Sequence, residues 1–134
     1  MDSCLFCKIV TKQLPNYTVY EDANVLAFLD IHPCSKGHTV VVLKNHYSVV
    51  SDMNEADWAA LNSGLKNTVH KIKTILNPDG MNIGINDGAA AGQAVPHVHW
   101  HIIPRYAHDG GGSMHSIVRQ QNPIDVSTLA HLFL

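Results

Sequence analysis

The chain has 134 residues, 46% of them hydrophobic and 15% charged, which fits one domain, residues 1–134, with enough apolar mass for its own core. Nine Lys and Arg against eleven Asp and Glu leave a formal charge of −2 and no basic run, which argues against a nucleic-acid clamp while leaving free nucleotides as ligands. No apolar run approaches the roughly 18 residues that cross a bilayer, no basic-then-apolar leader opens the chain, and three cysteines make no disulfide framework; the expectation is a soluble, cytoplasmic protein with no membrane partner.

Tyr17 to Glu21 and Val25 to Asp30 are β-prone runs separated by the turn formers Asp22-Ala23-Asn24, which predicts an antiparallel hairpin. Pro33 interrupts pairing across Ile31 to Lys36. The chain resumes from His38 to Leu43 with three consecutive valines, the pattern of a buried central strand. A long helix is predicted from Glu55 to Leu76, because Trp58, Leu61, Leu65, Val69, Ile72 and Leu76 recur at steps of three or four. Asn54 caps it, Glu55 and Asp57 complement its dipole, and Asn77-Pro78-Asp79-Gly80 stops it. Burying a side chain such as Leu65 contributes on the order of 2 kcal/mol, so packing holds this helix more than propensity does. Met81 to Ile85 then reads as a strand, Asn86 to Gly92 as a small-residue loop, and His97 to Ile103 as the last strand. Strands, one long helix and further strands make an α+β domain.

Ten histidines outnumber all Lys and Arg, and three of them alternate in His97-Val98-His99-Trp100-His101. Period two puts His97, His99 and His101 on one face of a strand, about 6.6 Å apart per step, with Val98, Trp100 and Ile102 on the other. Like charges this close disfavour one another, so at least one ring stays neutral. A neutral imidazole is a nucleophile toward phosphorus, and a neighbouring N–H donor can stabilise phosphoryl oxygens as charge develops. Small residues from Asn86 through Gly88, Gly92 and Gln93 let backbone N–H groups approach an anion. Two other readings of the alternation are a polar sheet face and a metal cage; the lack of a nearby carboxylate weighs against the cage.

His97-Val98-His99-Trp100-His101-Ile102-Ile103 resembles the His-φ-His-φ-His-φ-φ signature of the histidine-triad (HIT) family. Phe28 to Pro33, Gly37 to His46 and Asn86 to Gln93 are similar to its earlier segments, so the resemblance covers about residues 4–106 and leaves 107–134 as a C-terminal segment. It implies an α+β fold with a five-stranded antiparallel sheet, one long helix and shorter helical segments, paired as a homodimer. It also implies a nucleotide hydrolase or phosphoramidase that acts through a nucleotidyl-histidine and releases a nucleoside monophosphate. His99 resembles the nucleophile, His101 and His38 the histidines that contact phosphate oxygens, and His97 the one that orients the nucleophile.

By the same resemblance, Asn86, Gly92, Gln93, Ala94 and Val95 stand at the phosphate site and Asp30 at the ribose. Asp30 also reads as a turn cap before Pro33. Leu5, Phe6, Ile9, Phe28 and Ile31 resemble the apolar base pocket for a purine. Two positions depart from the pattern: Ala94 stands where a hydroxyl residue is usual near the leaving group, and Pro96 replaces an aromatic. Cys4 and Cys7 resemble the CxxC of a zinc-binding subset in which His46 and His97 complete a structural Zn2+ site. No organic cofactor is implied. The expected substrate is a nucleoside phosphoramidate or a dinucleoside polyphosphate, with activity falling on acidification as His99 gains a proton. The absent hydroxyl at Ala94 also admits a nucleotide-sensing binding or scaffold protein with incidental turnover.

Overall fold

The computed structural model describes residues 3–134. Helix α1 (Leu5–Val10) is followed by β1 (Thr18–Glu21), β2 (Val25–Leu29) and β3 (Thr39–Leu43), then the long α2 (Glu55–Leu76), β4 (Gly80–Gly84), β5 (His99–Arg105) and a short α3 (Val126–Ala130). The strands form one antiparallel sheet in the order β1-β2-β3-β5-β4, so the valine strand is central, as its sequence predicts. Asp22 builds the first hairpin turn: its Oδ1 accepts from the Asn24 and Val25 amides at 2.8 Å each. The α+β fold with a five-stranded antiparallel sheet therefore stands as expected.

Alternation along the strands gives the sheet two different faces. Val25, Ala27, Val41, Leu43, Val98 and Ile102 pack under α2, while Leu26, Phe28, Val40 and Val42 pack under α1 with Phe6 and Ile9. Helix α2 has the predicted bounds, with Asn54 Oδ1 accepting from the Asp57 amide at 2.8 Å and Asn77 turning the chain out at φ 46°. Its buried centre differs from the expected stripe. Leu61, Gly64, Thr68 and Ile72 are the buried positions, whereas Leu65 is half-buried at the flank. A Cβ on Gly64 would lie 2.6 to 2.8 Å from the Val25 side chain, so the absent side chain is what lets α2 settle onto β2.

Strand limits also shift. β5 begins at His99, two residues later than predicted, because the Pro96 region bends: the His97 amide donates to the Val95 carbonyl at 2.8 Å, and the Val98 amide donates to Tyr47 instead of to β3. At the other end β5 passes through Pro104 to Arg105. The last β3 pair is Thr39 with Ile102, so at Pro104 only β4 remains as a neighbour and the missing N–H interrupts no bond to β3.

Candidate active site

Three imidazoles converge on the α1 face of the sheet. Across the β3–β5 pair, Val42 lies opposite His99 and Val40 opposite His101, while Trp100 points to the other face, stacks on Trp58 at 6.0 Å and donates to Asn62. The His99 and His101 ring centroids are 4.9 Å apart, and Phe6 meets His99 edge-on at 4.9 Å. His38 enters from the residue before β3 and reaches His101, with Nε2 to Nδ1 at 2.9 Å.

Hydrogen bonds fix which nitrogen of each neutral ring carries the proton. His99 Nδ1 lies 2.7 Å from the His97 carbonyl, so Nδ1–H donates there and the lone pair sits on Nε2. His38 Nδ1 accepts from the Cys34 amide at 3.0 Å, so its proton is on Nε2 and is donated to His101 Nδ1. That leaves His101 with an Nε2–H donor. One strand thus offers a nucleophilic lone pair on His99 beside a donor on His101. Burial pushes the pKa of His38, His99 and His101 below the ordinary histidine value. The Asp30 carboxylate, 3.6 Å from His38 Nε2, opposes that shift. Asp30 Oδ1 meanwhile accepts from the His32 amide at 2.8 Å, so the residue caps its turn and faces the histidines at once.

His97 stands apart from this group. It is completely buried, and its Nε2 donates to the Leu43 carbonyl at 2.8 Å, which turns the Nδ1 lone pair toward α1. There Nδ1 meets Cys4 Sγ at 3.5 Å, Cys7 Sγ at 3.6 Å and His46 Nδ1 at 3.2 Å, while Cys7 Sγ lies 3.3 Å from His46 Nδ1. A tetrahedral ion with nitrogen ligands at about 2.0 Å and sulfur ligands at about 2.3 Å needs donor separations of about 3.3 to 3.8 Å, so these four residues could hold a zinc-like cation with little movement. Burial holds His97 down to about 4, which keeps its ring neutral and able to act as a ligand. Any contribution of His97 to orienting His99 therefore runs through its backbone carbonyl, since its ring faces elsewhere.

With this geometry in view, comparison with known proteins is decisive. The HIT domain profile matches residues 11–108. The chain belongs to the HIT domain family. Over 107 residues it is 51% identical to an uncharacterized HIT-like protein of Methanocaldococcus jannaschii, covering 80% of this chain and 82% of that one. It is 40% identical over 103 residues to a Schizosaccharomyces pombe protein named adenosine 5'-monophosphoramidase, covering 77% and 74%. The crystal structure of a HIT family protein from Bacillus anthracis aligns with a TM-score of 0.85 at 38% identity, over 98% of this chain and 93% of that chain.

Within the HIT domain the other candidate residues divide into groups. Phe6, Ile9 and Phe28 are buried together, with Phe6 and Phe28 in edge contact at 5.6 Å, so they belong to the core under α1. Leu5 and Ile31, assigned to the same apolar pocket, are exposed. A cavity of about 300 Å³ beside β1 touches Ile9, Leu14, Thr18 and Leu26 but none of the histidines. In the small-residue loop, Gly88 and Gly92 both adopt φ of 94°, which explains glycine there. Gln93 closes that loop: its Oε1 accepts from the Gly88 amide and its Nε2 donates to the Ser48 carbonyl, each at 2.8 Å. Asn86 and Val95 are half-buried, and Gly92 and Ala94 are exposed at the loop surface. Sequence reasoning missed three contributors: the Cys34 amide and the His97 and Leu43 carbonyls. All are backbone groups, which a side-chain motif cannot announce.

Proposed function

We propose that this HIT domain protein is a hydrolase acting at the α-phosphate of a substituted purine nucleotide. The observation that carries the reading is the pair of hydrogen bonds that call for opposite tautomers in neighbouring neutral rings: His99 Nδ1 on the His97 carbonyl leaves a lone pair on Nε2, and His101 Nδ1 on His38 Nε2 leaves an N–H on its own Nε2. His99 Nε2 attacks the α-phosphorus, the bond to the leaving group breaks, and a nucleotidyl-histidine forms. Its ring then carries positive charge, which the Nδ1–H bond to the His97 carbonyl stabilises. His101 donates to a non-bridging phosphoryl oxygen, and His38 holds His101 in the donor form. Water then cleaves the P–N bond, releasing the nucleoside monophosphate and restoring His99.

In this reading Asp30, whose Oδ2 lies 3.6 Å from His38 Nε2, accepts from ribose hydroxyls, and the relative named an adenosine 5'-monophosphoramidase supports a nucleoside phosphoramidate as one substrate. A dinucleoside polyphosphate is the other candidate. Cys4, Cys7, His46 and His97 bind a structural Zn2+ in this reading, tying α1 to the chain that leads into β5; their donor spacing supports it. The protein works as a cytoplasmic homodimer without an organic cofactor, and no helix among its described residues is long and apolar enough to cross a membrane.

The test is release of AMP from adenosine phosphoramidate and from diadenosine polyphosphate by the wild type and His99→Gly. Turnover lost in the variant with AMP binding retained supports the reading, and unchanged turnover overturns it. One observation favours a nucleotide-sensing scaffold instead: Ala94, exposed beside the loop, has no hydroxyl to assist the leaving group. Trapping a phosphorus–nitrogen adduct on His99 in a single turnover decides against the scaffold.

A further inference from the structure

The loop before His38 is seated on the end of the strand that carries His101. Residues 30–37 join β2 to His38, and Ile31, His32, Pro33, Cys34 and Lys36 are exposed, so little core packing holds them. Two half-buried residues do. The Ser35 hydroxyl donates to the Pro104 carbonyl at 2.7 Å, and a Cβ added to Gly37 would collide with the Leu76 side chain and come within 3.3 Å of the Pro104 ring. Tyr106, just past β5, adds a third tie by donating its hydroxyl to the Lys36 carbonyl at 2.9 Å. Carbonyls point to alternate sides along a strand. The Arg105 carbonyl takes the Asp79 amide on the β4 side, so the Pro104 carbonyl points to the β3 side, where the last pair is already Thr39 with Ile102. The Ser35 hydroxyl therefore stands where a further β3 amide would have bonded.

That seat bears on the histidines through one backbone group. The His38 amide donates to the Ser35 carbonyl at 3.1 Å, closing a turn whose Cys34 amide reaches His38 Nδ1 at 3.0 Å. The His38 backbone is already fixed, since its carbonyl accepts from the Asp30 amide at 2.9 Å, but its ring has two orientations of nearly equal shape. Flipped over about its last side-chain bond, the ring would set one C–H against the Cys34 amide and another against His101 Nδ1. Only the orientation held by the Cys34 amide brings an N–H to His101. Asp30, 3.6 Å from His38 Nε2, is too far for a hydrogen bond that would make the choice by itself. The amide selects the ring orientation, and Ser35 places the amide.

We propose that Ser35 is a positioning residue for the histidine site: by holding the Pro104 carbonyl it keeps the Cys34 amide on His38 Nδ1, and so keeps His38 donating to His101. The kinetic consequence rests on the hydrolase reading above, while the contact itself can be read without turnover. The test compares wild type, Ser35→Ala, Ser35→Thr and Tyr106→Phe in AMP release from adenosine phosphoramidate, in nitrogen NMR spectra of the histidine rings and in amide hydrogen exchange. In Ser35→Ala, kcat is expected to fall about tenfold with KM changed less than about twofold. The His38 Nδ1 resonance should move toward that of an unbonded ring nitrogen, and the Cys34 amide should exchange faster. Ser35→Thr, which keeps the hydroxyl, restores all of these. A lower Tm with an unmoved His38 Nδ1 resonance overturns the proposal, because the hydroxyl then only stabilises the loop. A moved resonance with unchanged kcat overturns it too. If Ser35→Ala does not fold, Tyr106→Phe, which loosens the same loop, decides by the same shift in smaller measure. Turnover that survives His99→Gly overturns the hydrolase reading alone, and the ring spectra still decide what Ser35 holds.

Discussion

His97 and His99 stand two residues apart on one run of chain, both buried, and each gives one ring nitrogen to a backbone carbonyl. His97 uses Nε2, so its lone pair turns inward to two thiols and His46. His99 uses Nδ1, so its lone pair is free on Nε2 beside His101. Neither burial nor residue type separates them. A difference in which nitrogen meets a carbonyl aims one ring's lone pair at two thiols and an imidazole and leaves the other's beside an N–H donor, the two roles that the proposed function assigns to ligand and nucleophile, so the backbone around a histidine is as much part of its chemistry as its neighbouring side chains.

The strongest way to break this comparison is His99→Gly, expected to lower kcat by about 10⁴ or more while nucleoside monophosphate still binds. Calorimetry with AMP together with a rate assay reads both quantities. Next is His38→Leu, which removes the donor that sets the His101 proton. It is expected to lower kcat about 100-fold, and His38→Gln, which keeps an amide donor, should recover part of that loss. Equal rates for the two variants would mean that the His38–His101 bond does not matter. Replacing Cys4 and Cys7 together by Ala should act in the opposite sense, lowering Tm by on the order of 10 °C while changing kcat of the folded protein less than tenfold. Metal content by emission spectroscopy and a melt with and without chelator check it. A kcat lost at unchanged Tm would merge the two regions into one.

The smallest expected effect is on stability against pH. Burial holds His38 and His101 below the ordinary value of 6.5 in the folded chain. Between that value and their lowered folded values the unfolded chain binds protons that the folded chain refuses. Their contribution is therefore fully present above about pH 6.5 and is lost as pH falls toward the folded values. Melts from pH 8 to 5 should show Tm falling below pH 6.5, less steeply in His38→Leu. An identical pH profile in wild type and variant would remove these two rings from the account.

Much of this was readable in the residues because the patterns are long or strict. Twenty-two residues with an apolar stripe and a cap at each end specify α2, and strict alternation put His99 and His101 opposite Trp100. What escaped is short or depends on distant chain. α1 has six residues, and its Cys4 cap and buried Phe6 and Ile9 acquire meaning only against Phe28 and Val42. Gly64 reads as a helix weakener until Val25 is found beneath it. The β5 start moved because Pro96 sits beside a tight turn, and alternation alone cannot tell a strand from the bend before it. The HIT signature names side chains, so it gave the candidate histidines but not the carbonyls that differentiate them.

Gly64 has one more implication. By lacking a side chain it makes α2 a close backing plate for β2 and β3; His38 immediately precedes β3, and on its far side Val42 lies opposite His99. A single methyl group there would act as a wedge, prising helix from sheet and altering strand curvature, so the spacing of the three imidazoles can be tuned from a position on the opposite side of the sheet.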